Sequence, residues 1–496
     1  MSKLKKAFII ITGVLSVIWF LIRVIPKPSR AMYPCQQAAF PIASGFVIWL
    51  MGVVGSVTAF NYFKINFQQK KYIFSLILLV AVGVSLMFVV TQPGVTLFAS
   101  NSVIETNQPI GQAQGIFPGR VVWTFDPKAA TWDGEFGHYW DAKFTNQARI
   151  DAMLSSSIQQ LTGTKNDKKA WDALFAFFNK NHGKASQSYT QGEKIVIKIN
   201  MNTARKDYEN YEGPNTINAT PQVALAMVRQ LVKKAHVSDS LITVFDGARY
   251  ITDNIYDLVK KEFPKVKFVD AHGQKGRILV KWKENVIHYA VKNDCGTGIA
   301  TAVTEADYII NLALLKGHNT AGITSCGKNH FGSINGQEHY YIRQYERGCG
   351  VYNPVVDLMG HKELGKKTLL FMVDGIYAAK DADPAPEKWK IAPFNNHWPS
   401  SFFVSLDNVA IESVCYDFLN AEIGDRSYMK NADSYLHEAA LAFNPPSKTF
   451  YSPNGDGIRL KSLGVHEHWN NVTEKKYSGN LGKKQGIELI KYFINK

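Results

Sequence analysis

From Lys194 onward the chain alternates short apolar runs with amphipathic stretches, and this rhythm restricts the fold more than any other feature of the sequence. The runs are KIVIKINMN from Lys194, LITVFDG from Leu241, VKFVDAHG from Val266, DYIINLALL from Asp307 and TLLFMVDG from Thr368. Each is apolar on both of its alternating faces, so each needs cover on both sides of a sheet. That requirement is met by a mainly parallel sheet with helices above and below it. Between the runs, Thr220 and Pro221 stand as N-cap and first-turn proline of a helix PQVALAMVRQLVKKA, and ITDNIYDLVKKEF predicts a second. Ahead of them, residues 141–180 carry two more helical patterns. In one, Trp171, Leu174, Phe177 and Phe178 fall at helical spacing, which predicts core packing and not a ligand box. The expected fold class is α/β: a mainly parallel sheet covered by helices.

The first ninety residues are of another kind. Residues 1–91 hold nine of the 56 Lys and Arg and none of the 41 Asp and Glu. Three charge-free apolar runs, residues 7–22, 39–60 and 72–90, approach the ~20 residues that carry a helix across a bilayer, so three transmembrane helices are expected before the α/β domain. Lys3, Lys5, Lys6, Lys64, Lys70 and Lys71 favour a cytoplasmic side, while Arg23, Lys27 and Arg30 oppose it. Three crossings then give a multi-pass protein of a cytoplasmic membrane with its soluble part outside, periplasmic or extracellular. The lipid bilayer and other membrane proteins are the implied partners. The expected organisation is an anchor at 1–91, a linker at 92–119, the α/β domain with its helical lead-in at 120–443, and an irregular closing segment at 444–496 packed on that domain. With the basic excess concentrated near the apolar runs, the formal net charge of +15 does not argue for nucleic acid as a partner, and no finger spacing or RNA-recognition motif is present.

In parallel α/β folds ligands bind beyond the carboxyl ends of the strands. Here those ends carry Lys198, Asn200 and Asn202; Asp246 and Arg249; Asp270; Asn311, Lys316 and His318; and Asp374. The densest stretch is KGHNTAGITSCGKNHFGSINGQEH from Lys316 to His339, where lysines and glycine-rich turns suit phosphate or carboxylate oxygens. Ser325 and Lys328 have SxxK spacing, but the companion elements of acyl-transfer enzymes are missing. Metal binding is a second expectation. His466 and His468 flank Glu467 and would share one side of an extended segment, with Asp374 as a carboxylate candidate. His318, His330 and His339 are close in sequence, and the turn SPNGDG from Ser452 offers oxygen ligands without an EF-hand pattern. The five cysteines, at 35, 295, 326, 349 and 415, permit disulfides or buried thiols, and their scatter argues against an iron–sulfur cluster.

With these motifs laid out, the chain resembles the family called domain of unknown function 362 (DUF362). The resemblance rests on IVIKINMN at 195–202, FDGARY at 245–250, ADYIINLALLKGHNTAGITSCGKNHFGSI at 306–334, MVDGIYAAKD at 372–381 and SLDNVAIESVCYDFL at 405–419. It implies an α/β domain whose site positions are here Lys198, Asn200, Asn311, Lys316, Lys328, Asn329, Asp374 and Asp407. Some family members carry ferredoxin-type modules; this chain lacks the clustered cysteines they need. Cys326 stands inside the lysine–asparagine motif at a position where the resemblance does not require a cysteine.

The expected function is that of an enzyme or enzyme-like protein acting on an anionic small molecule or envelope component that bears phosphate or carboxylate. Lys198, Lys316 and Lys328 would neutralise the anion, and Asn200, Asn311 and Asn329 would orient it. His318, Asp246 and Asp374 are the candidate catalytic groups, and a divalent metal ion would suit hydrolysis or transfer. A non-catalytic binding or assembly protein and a redox protein with a cofactor partner are the alternatives.

Overall fold

The computed structural model describes residues 106–496 except 186, 203, 205–207, 209–215, 292–295, 337–349, 382–384, 425–426 and 495–496. Before 106 it describes only Leu15, Val17, Ile18, Trp19, Leu21, Ile22 and Val47, all helical. The chain divides into two units, Met1–Glu105 and Thr106–Lys496.

The expectation of three transmembrane helices is corrected. Among the described residues no helix is long and apolar enough to cross a membrane. The longest, Gln147–Thr162 and Asn408–Ile423, have 16 residues each. At 1.5 Å per residue they reach ~24 Å against a hydrocarbon layer of ~30 Å. Both also carry charged side chains, among them Asp151, Glu412 and Asp417. Apart from the seven residues named above, the apolar runs at 7–22, 39–60 and 72–90 lie outside the described residues. The expected placement in a cytoplasmic membrane, with the soluble part beyond it, loses its basis with them.

The second unit is built on a mixed, mostly parallel sheet of ten strands. In chain order the elements that matter here are β1 (Ile110–Gly111), β2 (Arg120–Phe125), β3 (Ile195–Lys198), β4 (Ile242–Asp246), β5 (Lys267–Asp270), β6 (Ile278–Leu279), β7 (Trp282–Lys283), β8 (Ile299–Ala300), β9 (Tyr308–His318), β10 (Gly322–Thr324), β11 (Thr368–Ala379), β12 (Ser401–Ser405), β13 (Val465–His466) and β14 (Glu488–Phe493). The large sheet runs β14-β2-β12-β11-β9-β3-β4-β5-β6, with β10 folded back on β9. On that path only β12 runs against its neighbours, pairing antiparallel with both β11 and β2. The remaining pairs are parallel.

Burial explains why the central strands read as unbroken apolar runs. All twelve residues of β11 are buried, as are the first ten of β9. One core lies on each face: Val196, Ile309, Val373 and Phe403 pack with the 408–423 helix on one side, and Ile197, Ile310, Met372 and Phe402 pack with the lead-in helices on the other. The two lead-in helices, Gln147–Thr162 and Asp167–Asn181, are capped by Asn146 and Asn166. Of the expected aromatic stripe, Trp171, Leu174 and Phe178 are buried there, while Phe177 is half-buried and Phe175 is buried in the core. The closing segment supplies structure of its own: β13 pairs with β1, and β14 adds an edge strand parallel to β2.

Candidate functional site

The parallel strands β3, β4, β9 and β11 end on the same edge of the sheet, and a buried polar network fills that edge. Lys198, the last residue of β3, is 1% exposed. Its Nζ donates to Ile199 O (2.5 Å), Asn329 Oδ1 (2.9 Å) and Asp246 Oδ2 at the end of β4 (3.1 Å). Burial pushes the Lys198 pKa down, against the pull of Asp246. Gly332 lies directly over this ammonium: a Cβ there would come within 2.7 Å of Nζ.

Asn329 is the hub. Its Oδ1 also accepts from Asn200 Nδ2 (3.2 Å), and its Nδ2 donates to Lys198 O (3.2 Å) and Asn311 Oδ1 (2.8 Å). These contacts fix the amide of Asn311, whose Nδ2 donates to Cys326 O (2.8 Å) and faces His330 Nε2 at 3.1 Å. His330 therefore accepts on Nε2 and carries its proton on Nδ1. Burial and the nearby Lys198 charge lower its pKa to about 3, so the ring is neutral. Its Nδ1 has no partner among the described residues, and neither do Asn200 Oδ1, Thr324 Oγ1 and Ser333 Oγ, all buried.

Lys316 sits near the end of β9, in register with Thr324 of β10, and donates to Asn202 Oδ1 at 3.1 Å. Lys328 Nζ lies 4.2 Å from the centre of the Phe331 ring. Below it, Gly327 N donates to Glu412 Oε1 (2.6 Å) on the 408–423 helix, and Tyr435 donates to the other oxygen of the same carboxylate. Asp374, opposite Leu314 on β9, accepts from Thr220 N (3.1 Å) and Ile376 N (3.0 Å). Burial raises its pKa to about 6.

Of the residues singled out from the sequence, Lys198, Asn200, Asp246, Asn311 and Asn329 thus join one network, with Lys316, Lys328 and Asp374 on the strand ends and turns around it. Asp246 also receives Met201 N and Ala248 N, a turn-holding role, and Asp270 does the same for His272 and Gly273. His318 uses Nδ1 to accept from Thr320 N and Ala321 N, each at 3.1 Å, and so closes the β9–β10 turn. Asp407 caps the 408–423 helix through Val409 N and Ala410 N and binds Gln114 N and Val465 N besides. Asp456 of the SPNGDG turn accepts from Ile458 N, and Asn454 Oδ1 from Lys362 N. Cys326 and Cys415 are free and buried; Cys35, Cys295, Cys349 and His339 lie outside the described residues.

His466 and His468 do come together, with Asp433 and not with Asp374. One ligand atom from each of the three lies within 4.8 Å of the others. Both Nε2 atoms stand 3.1 Å from Asp433 Oδ1. His466 Nδ1 meets Ser413 Oγ at 2.8 Å, and His468 Nδ1 meets Asp417 Oδ1 at 2.6 Å. Burial opposes charge on both rings. It takes His466 down to about 3, whereas the Asp417 and Asp433 carboxylates overcome it at His468 and raise that ring to about 10. Asp433 comes from a helix 33 positions before His466, a spacing no metal motif encodes. Ser413 and Asp417 left a readable trace: polar residues one helical turn apart on a helix that is buried from Asn408 to Leu419.

A family model described as "Domain of unknown function (DUF362)" matches residues 195–417. No curated protein and no solved structure gives a match. The matched span covers the whole lysine–asparagine network and ends at Asp417, so Asp433, His466 and His468 come from sequence that follows it. Residues 195–417, which hold the strand-end network, match the DUF362 family.

Proposed function

We propose that the strand-end crevice binds an anionic small molecule bearing phosphate or carboxylate, and that the chain is an enzyme acting on it. The observation that carries this reading is a set of buried polar atoms without partners among the described residues, on Asn200, Thr324, His330 and Ser333, beside three strand-end and turn lysines. A buried polar atom left unmade costs about 1–3 kcal/mol, so each of these atoms calls for a partner that the described residues do not supply. The neutral His330 ring offers Nδ1–H as a donor, Thr324 and Ser333 offer hydroxyls, and Lys316 and Lys328 offer charge. That donor set matches a tetrahedral or planar oxyanion and suits neither a cation nor an apolar ligand. Asp374, held near pKa 6, is the group best placed to exchange a proton near neutral pH.

Titration calorimetry of the full chain with orthophosphate, then with phosphomonoesters and small carboxylates, tests the reading. Saturable binding is expected, weakened at least tenfold (about 1.4 kcal/mol) by Lys316→Ala and by Lys328→Ala. Absence of saturable binding, or equal affinity in both variants and the parent, contradicts it. Binding without turnover of any bound ester would leave a carrier in place of an enzyme.

A further inference from the structure

We propose that Asp433, His466 and His468 bind one divalent transition-metal ion, zinc or iron(II) by ligand class, in a centre that is separate from the anion crevice and independent of that reading. Three observations converge on it. First, the spacing fits. Ligand atoms about 2.1 Å from a common ion stand about 3.0 Å apart in octahedral and about 3.4 Å apart in tetrahedral geometry. The two Nε2 atoms are each 3.1 Å from Asp433 Oδ1.

Second, the outer hydrogen bonds are those that aim imidazoles at a metal. His468 Nδ1 is held by the Asp417 carboxylate, itself fixed by Trp469 N (3.0 Å) and Tyr477 OH (2.8 Å). His466 Nδ1 is held by Ser413 Oγ. A neutral ring that donates from Nδ1 presents its lone pair on Nε2; both Nε2 atoms point at the same oxygen, and at His468 a metal would replace the second ring proton that the two carboxylates favour.

Third, the hydrogen bonds around His466 call for a positive charge beside Nε2. Ser413 has one hydroxyl proton, and its Oγ is 2.7 Å from Val409 O, the backbone acceptor one turn back. With that proton on Val409 O, His466 Nδ1 must be the donor to Ser413. A neutral His466 then turns its Nε2 lone pair toward Asp433 Oδ1, a repulsive contact in a buried site that a second ring proton or a bound metal ion relieves. Two imidazoles and one carboxylate suit zinc, iron(II) or manganese(II); calcium and magnesium take all-oxygen shells. His437, whose ring centroid is 4.6 Å from that of His466, is the least buried group of the cluster, with 16% of its side chain exposed.

The centre also reaches the crevice through shared elements. Glu412, next to Ser413 on the 408–423 helix, accepts from Gly327 N beneath Lys328, and Tyr435, two residues after Asp433, binds the same Glu412. Metal binding therefore braces the two helices that support the turn carrying Lys328 and Asn329.

The test uses the full chain purified without chelator. Plasma mass spectrometry is expected to find about one equivalent of metal per chain. After chelation, titration of zinc alone, and of iron(II) alone under anaerobic conditions, should restore one site, the resident metal being the one found in the isolated protein. His466→Gln and His468→Gln should abolish the site. Ser413→Ala, which leaves all three ligands in place and changes only the atom behind His466, should weaken it ~10–100-fold. Should either histidine variant fail to fold, Ser413→Ala decides. No metal in the isolated protein together with no saturable binding of either ion, or zinc affinity unchanged across the variants, overturns the proposal.

Discussion

Lys198 keeps an ammonium group in an interior that water does not reach, and Asp246 is its only carboxylate partner among the described residues. The pair is 1% and 3% exposed, so removing one member strands the other charge in a low-dielectric site. Asp246→Asn is expected to lower unfolding free energy by about 3–5 kcal/mol, measured in urea; a loss below 1 kcal/mol would mean that the lysine is already neutral. Asp374 gives a pH signature. Its folded pKa of about 6 lies above the ordinary carboxylate value, so its stabilising contribution is complete below about pH 4 and is lost as pH rises through about 6. The advantage of the parent over Asp374→Asn should therefore be larger at pH 4.5 than at pH 7.5, by about 2 kcal/mol in the unfolding free energy. A difference that does not vary with pH would place the Asp374 pKa at its ordinary value. At this scale the sequence is a good guide to residue type but not to state. Lysine and asparagine at strand ends are readable, whereas the His330 tautomer depends on an amide chain running from Lys198 through Asn329 and Asn311, which only the fold assembles.

The elements divide by how local their cause is. Strands β3, β4, β5, β9 and β11 are legible because both of their faces are buried, and an unbroken apolar run records that directly. The reversed strand β12, its neighbour β2 and the edge strand β14 are not, since β14 pairs with a partner more than 360 positions away and nothing in either segment names the other. The helix Pro221–Arg229 continues as a π-turn over Gln230–Lys234, a change of pitch that apolar periodicity does not encode. The 408–423 helix depends on its cap. Asp407 ties its first turn to Gln114 and Val465, and Gly464 passes so close that a Cβ would fall 1.9 Å from Asp407 Oδ1. Gly464→Ala, at φ +153, should cost about 2–3 kcal/mol in urea unfolding by displacing that cap. An unaltered midpoint would show that the cap contributes little.

The second unit is closed by its own ends. Residues near 106–111 pair with 465–468, and β14 lies against β2, so the segment that reads as irregular is a structural part of the sheet and the source of two candidate metal ligands. A chain of residues 106–496 should unfold in one cooperative transition, and a chain ending at 443 should not, because Ile487 and Leu489 leave the core. Equal melting curves for the two would contradict this. The sequence shows that the closing segment differs from the α/β alternation before it; it cannot show where that segment docks, because the docking is long-range pairing and buried contact with the 408–423 and 430–440 helices. The central claim, that the ends of β3, β4, β9 and β11 form an anion site, is tested most directly by a crystal structure of the full chain grown with orthophosphate. The expected map shows a tetrahedral anion within about 3 Å of Lys316 or Lys328 Nζ and of at least one of His330 Nδ1, Thr324 Oγ1 and Ser333 Oγ. A map in which those atoms are satisfied by the protein's own side chains, with no anion bound at the strand ends, would contradict it.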